Sequence, residues 1–361
     1  MAEAARPPRS SGDPDIQGRF FQYLMLERAV HSQGVPYEMV DENIWRHKLA
    51  VEQEALLARW KIQRAEYEER LLAQNQFLSH FSHHLIQLMN DPAELMADTP
   101  IRSEHFELLD LLMSETPDRE RILGLMANMA WLCDGLVRYM NNPKHKLTRR
   151  DVTFTDHRLV FHYLGMEPLQ RILPWLMFQH WSMGREEGLG LRLRKLWRFA
   201  RQQSDAAAAL ARRLGQPPQQ ARILALMHCL DMVLLLQVGA REFFRMKSSW
   251  LTQARDEGAK AVHDAVLPLQ LPGKPLVQLL KLHLGWGEKL LAHWQLGELA
   301  LYRSIVRLNR SEPDPMSRLV IQSRAIAIHH SLLKRRLASP EELNQWLAHH
   351  HLSRHSQWKS D

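Results

Sequence analysis

The stretch from Leu191 to Gln237, LRLRKLWRFARQQSDAAAALARRLGQPPQQARILALMHCLDMVLLLQ, constrains this chain more than any other. Its first half places Leu193, Leu196, Trp197, Ala200, Ala207, Leu210, Ala211 and Leu214 at helical spacing and closes on Gly215, a common helix stop. Pro217 and Pro218 suit the first turn of a second helix, expected over Gln219 to Gln237. Between Ile223 and Leu236 that helix is apolar on every side, interrupted only by His228, Cys229 and Asp231. Such a helix belongs in the middle of a domain. The apolar run is shorter than the ~20 residues a membrane span needs.

The rest of the chain reads as helical too. No alternating strand pattern of useful length occurs, so the expected fold class is all-α. Residues 1–18, with Pro7, Pro8, Pro14 and paired serines, offer almost nothing to bury and are expected to form a disordered tail. A short helix from Phe20 to Val30 follows. After Asp41 a long segment to about Asn90 lacks proline and glycine, and Trp45, Leu49, Leu56, Trp60, Tyr67 and Leu71 recur four or seven residues apart with charges between. This spacing predicts an amphipathic helix with coiled-coil character and a candidate interaction surface along those six residues. Residues 19–97 are therefore expected to be a helical extension. Asp91-Pro92 and Thr99-Pro100 mark its boundary with a main domain over 98–310. Terminal helices over 311–361 include one opened by a capping box at Ser339-Pro340-Glu341-Glu342.

In their order and spacing, several motifs carry a family resemblance. Leu196-Trp197-Arg198-Phe199-Ala200, the alanine-rich turn, and Leu226-Met227-His228-Cys229-Leu230-Asp231 resemble the helix pair of the HDOD domain, a bacterial regulatory relative of the HD phosphohydrolases. Leu164-Gly165, the Asn141-Asn142 helix end, and His283-Leu284-Gly285 running on to Trp294 resemble further segments of that family. The resemblance spans about Ile101 to Leu308 and implies a multi-helix HD-like domain in a bacterial signalling protein.

It also implies a degenerate metal site. HD enzymes hold divalent cations with histidines and aspartates, which together suit Mn, Fe, Mg or Zn and present a metal-bound water to a phosphate ester. Here Phe199 stands where a histidine is common, and Cys229 where the aspartate of the pair would be. A phenyl ring donates nothing to a metal, and a thiolate does not bridge hard cations as a carboxylate does. His228, Asp231 and His283 remain, too few and too scattered for the chemistry. The resulting expectation is a non-catalytic regulatory module with no cofactor, whose surface or vacated pocket binds a protein partner, a second copy of itself or a small ligand. The alternative is a metal-dependent phosphohydrolase acting on a nucleotide or cyclic dinucleotide.

Charge and cysteines narrow the remaining classes. A net charge of +7 invites nucleic acid, but 47 basic residues are interleaved with 40 acidic ones and no recognised nucleic-acid motif is present. The densest basic cluster, Arg192, Arg194, Lys195, Arg198 and Arg201, reads as the solvated face of an amphipathic helix. Cys133 and Cys229 sit in apolar helical patterns, as reduced thiols of a cytoplasmic protein do. No secretory leader or membrane-spanning run is expected. The paired histidines at His83, His329 and His349 lack acidic partners at ligand spacing, and His263-Asp264 falls outside the motif helices.

Overall fold

The computed structural model describes residues 15–25, 49–96, 99–143, 153–184, 186, 188–282, 285–310 and 314–352. Among them there are helices and turns and no strand, as the sequence predicts. In chain order the helices are α1 (Ile16–Met25), α2 (Ala50–Leu88), α3 (Pro92–Met96), α4 (Ser103–Met113), α5 (Arg119–Ala127), α6 (Ala130–Asn141), α7 (His157–Leu164) and α8 (Met166–Trp181). They continue with α9 (Leu189–Arg213), α10 (Pro218–Met227), α11 (Leu230–Asp256), α12 (Lys260–Val266), α13 (Gly273–Lys281), α14 (Trp286–His293), α15 (Ala300–Asn309), α16 (Pro315–Arg335) and α17 (Pro340–His349).

The motif helices α9 and α10 form the centre. α9 packs against α10 and α16, and α10 also touches α8 and α16. Ala206, Ala207 and Ala211 are buried along α9, and their small side chains allow neighbouring helices to approach closely. Gly215 takes φ +64°, and the Gln216 N–H reaches back to the Ala211 carbonyl at 2.9 Å, closing α9 where its sequence predicts. Pro218 is the first residue of α10. Ser339 and Glu342 make both bonds of the predicted capping box at α17. Asn141 ends α6 by pairing with the backbone of Phe154, donating to its carbonyl at 2.7 Å and accepting its N–H at 2.9 Å.

The central apolar helix differs from expectation in two ways. It breaks at His228-Cys229, and its second part runs on to Asp256 rather than ending near Gln237. The break needs no proline. The Met232 and Val233 N–H groups both bond to the Cys229 carbonyl, and the released His228 carbonyl accepts from Arg324 at 3.3 Å. Taken together, Pro218–Asp256 is long and apolar enough to cross a membrane by length and composition, contrary to the expectation of no such run. Its most apolar window is 83% buried inside the fold, which makes it the core of this domain.

The N-terminal region differs more. Residues 16–18, expected to be part of a disordered tail, belong to α1, which starts at Ile16, and Ile16, Phe20, Phe21 and Leu24 are all buried. α1 lies against α13, α16 and α9. Residues 1–14 and 26–48, including Trp45, lie outside the described residues. α2 has two parts with different fates. From Ala73 onward, Phe77, Phe81, Leu85 and Leu88 dock on α11 and α12, with Phe77 edge-on to Phe243 and Trp250. Before Ala73 no side chain of the helix is fully buried: Leu56, Trp60 and Tyr67 are half-buried, while Leu49 and Leu71 are exposed.

The basic face of α9 is also not a plain solvated surface. Arg192 is buried, its guanidinium donating to the carbonyls of Met25 at 2.7 Å and Leu271 at 2.8 Å. Lys195 donates to the Tyr23 carbonyl at 2.7 Å. The last carbonyls of a helix have no intrahelical donor, so two basic residues of α9 serve as the C-terminal cap of α1.

Candidate functional site

Four of the positions that the resemblance assigns to a metal site, Phe199, His228, Cys229 and Asp231, are described, and each is engaged by partners of its own. Phe199, on α9, is fully buried, and its ring packs tilted against Phe20 of α1 with centroids 4.4 Å apart. The space beside Phe199 is thus filled by α1. One turn along α9 from Phe199, Gln203 is fully buried between the two residues of the helix break. Its amide nitrogen lies 3.2 Å from Nδ1 of His228, and its carbonyl oxygen accepts from the Cys229 thiol at 3.3 Å. One glutamine therefore bonds to both side chains of the helix break.

Cys229 has no exposure, and burial pushes its thiol up to about 12. It is a neutral S–H donor to Gln203, and a metal would have to displace both that proton and that bond. Asp231 is also engaged. One carboxylate oxygen accepts the Gly285 N–H at 3.0 Å and the other the Trp286 N–H at 2.9 Å, so this carboxylate seats the N-terminus of α14, where negative charge is favoured. Burial raises its pKa, opposed by those two N–H groups and by the Arg324 guanidinium. Arg324 is the cation that the sequence reading missed. It comes from α16, interacts with both Cys229 and Asp231, and donates to the His228 carbonyl. Its Nε is buried with no hydrogen-bond partner among the described residues.

The set therefore has one imidazole on a glutamine, one buried thiol, one carboxylate on a helix terminus, one phenyl ring and a permanent cation. His283 lies outside the described residues. Among the described residues no three His, Cys, Asp or Glu side chains are grouped to hold a metal. An arginine beside Asp231 also opposes a divalent ion by charge.

Two histidines outside the motif lie beside acidic side chains. His84 of α2 lies 3.1 Å from the buried Glu242 of α11, which also pairs with Arg241 and Arg245. Burial works against the Glu242 charge, but these partners outweigh it and hold the carboxyl below its usual range. His263 and Asp264 are a pair of neighbours at 3.4 Å on α12, far along the chain from the motif. Gln203 and Phe20 were legible only in part: Gln203 shares a helix face with Phe199, while nothing local in α1 says where its phenyl rings go.

No protein-family model matches the chain, and no curated protein does. Among solved structures it is similar to an HDOD domain protein with unknown function from Geobacter sulfurreducens, at 17% identity, over 75% of this chain and 80% of that one, with a TM-score of 0.39. It is also similar to a candidate metal-dependent phosphohydrolase from Shewanella amazonensis SB2B, at 12% identity, over 74% of this chain and 89% of that one, with a TM-score of 0.38. The first bears the family name that the chain's own motifs imply. At such identities and TM-scores the likeness lends the site no chemistry.

Proposed function

We propose that this chain is a non-catalytic regulatory module, a bacterial signalling protein of the cytoplasm that acts by binding rather than by turnover. The observation that carries the reading is the occupied motif site. Phe20 fills the place beside Phe199, Gln203 bonds to His228 and Cys229, and Asp231 is committed to two backbone N–H groups beside Arg324. Hydrolysis of a phosphate ester by an HD-type centre needs ligands that are deprotonated and open to a metal-bound water. Here the thiol is held neutral and the carboxylate has no oxygen without a partner.

The surface through which such a module would meet a protein partner is the N-terminal half of α2. Leu49, Val51, Ile62 and Leu72 are 74%, 76%, 61% and 59% exposed, four large apolar groups at and after the start of one helix. Exposed apolar area of this kind favours burial against another chain.

Metal analysis and activity measurements on the purified full chain test the central claim. The expected result is substoichiometric Mn, Fe and Zn, and no turnover of phosphodiester or nucleotide substrates with added Mn. Near-stoichiometric metal together with turnover that EDTA stops would establish the phosphohydrolase instead.

A further inference from the structure

On the side of α9 away from Phe199, a cavity of about 430 Å³ opens between α6, α8, α9, α10 and α16. Its volume falls in the ~300–1,000 Å³ range of small-molecule sites. Four arginines line it, Arg171 from α8, Arg201 and Arg212 from α9 and Arg222 from α10, against a single acidic residue, Asp205. Asp205 is taken by Arg222 at 2.6 Å, with Arg201 at the limit of pairing at 4.0 Å. Among the described residues Arg171 and Arg212 have no carboxylate partner, and both are exposed at the rim. Concentrating like charges around one concavity works against the folded state unless an anion shares the space.

Two further features restrict what that anion is. Trp175 contributes its half-buried indole to the wall, with the Arg201 guanidinium 5.9 Å from the ring centroid. The carbonyl oxygen of Gln202, also in the wall, is buried with no hydrogen-bond partner among the described residues. A buried acceptor without a donor is costly, and a ligand N–H or O–H would satisfy it. Inorganic phosphate offers the anion but nothing for the indole to stack on. A nucleoside monophosphate offers phosphate oxygens for the planar forks of arginine, a base to stack on tryptophan, and ribose hydroxyls or base N–H groups for Gln202.

We propose that this cavity is a binding site for a nucleoside monophosphate or the equivalent unit of a larger nucleotide, separate from the motif site around Phe199. Arg171 and Arg212 hold the phosphate, Trp175 the base, and Gln202 a donor on the sugar or base.

Isothermal titration of the full chain with AMP and GMP, with adenosine, guanosine and inorganic phosphate as controls, tests it. At least one mononucleotide is expected to bind about tenfold or more tightly than its nucleoside and than phosphate. A double variant, Arg171→Gln with Arg212→Gln, removes only rim charges and is expected to keep the parent's melting temperature while losing about tenfold or more in affinity. Trp175→Phe should retain much of the binding that Trp175→Ala loses. Binding of phosphate as tight as that of the mononucleotides, binding unchanged in the double variant, or no binding at millimolar nucleotide would each overturn the proposal. EDTA-sensitive turnover would strike the non-catalytic reading and leave this site standing, so the two fail separately.

Discussion

The ring of Phe20 lies on the ring of Phe199 at a centroid distance of 4.4 Å with 39° between their planes. One residue belongs to the first helix of the chain and the other to the central one, so the contact ties the N-terminus to the motif site. Phe21 continues the tie, its ring 5.8 Å from the Arg324 guanidinium. Truncating a buried phenylalanine to alanine removes its transfer free energy and leaves a cavity, typically costing ~3–5 kcal/mol. Phe20→Ala is expected to fall in that range in urea unfolding. It is also expected to loosen α1 from Arg192 and Lys195, seen as faster amide exchange across Gln17–Met25. Unchanged exchange would mean that α1 is held by its C-terminal cap alone.

Restoring the aspartate of the motif should not restore a metal site. Cys229→Asp places a carboxylate in a fully buried position facing the Gln203 amide, which already serves His228. Part of its charge is offset by Arg324, but Phe199 still withholds a ligand and Phe20 still fills the adjoining space. A loss of ~1–3 kcal/mol is expected for a buried polar group with incomplete partners. Thermal unfolding with and without Mn measures it. A variant as stable as the parent, and stabilised further by Mn, would show a dormant metal site.

A third expectation concerns acid. His105 is buried, and its Nδ1 accepts from the Trp181 indole at 3.0 Å and from the Arg102 backbone N–H at 3.1 Å. Both bonds require an unprotonated Nδ1, and burial, with His180 nearby, lowers the group from 6.5 to about 4. The unfolded chain takes up a proton below about 6.5 and the folded chain does not, so stability is full above that pH and is lost as pH falls towards 4. At the usual ~1.4 kcal/mol per unit, the loss attributable to this residue is ~3 kcal/mol. His350, lowered to about 4 mainly by burial, acts in the same direction. Urea unfolding between pH 7 and pH 4 should show the decline, and His105→Gln should flatten it. An equal slope in parent and variant would assign the acid sensitivity elsewhere.

The features legible in the sequence were those with local causes. Helical class, the stop at Gly215, the start at Pro218 and the box at Ser339 follow from residues within a turn of one another. Phe199 and Cys229 are singled out only through the spacing that the resemblance supplies. What surrounds them was not legible, since Phe20 and Arg324 arrive from helices remote in sequence, and their burial is decided by tertiary packing. Arg192 shows the same limit. On a helical wheel it belongs to a basic face, and only the docking of α1 turns that face into a cap. The continuation of α11 past Gln237 was hidden by its polar residues: Arg241 and Glu242 look like a boundary until their pairing with each other and with His84 is seen. The docked stripe Phe77, Phe81, Leu85 follows the same four-residue spacing as the residues before it, so spacing alone does not tell the buried part of α2 from the exposed part.

The first half of α2 carries Val51, Ile62 and Leu72 exposed to solvent. A helix of 39 residues extends ~58 Å at 1.5 Å per residue, and the part before Ala73 accounts for more than half of that length. Val51 and Ile62 lie three turns apart and so share a face, with Leu72 displaced to its edge. If this surface meets another chain, Val51→Ser, Ile62→Ser and Leu72→Ser together should lower the mass measured by light scattering, or abolish capture of a partner from native cells. The melting temperature should hold, because none of the three is buried and exposed substitutions usually change stability by less than ~0.5 kcal/mol. A lower mass identifies a second copy of this chain as the occupant. An unchanged mass with lost capture identifies a different protein. A fall in melting temperature without either change would place the surface against the rest of its own fold, and the interaction role would be withdrawn.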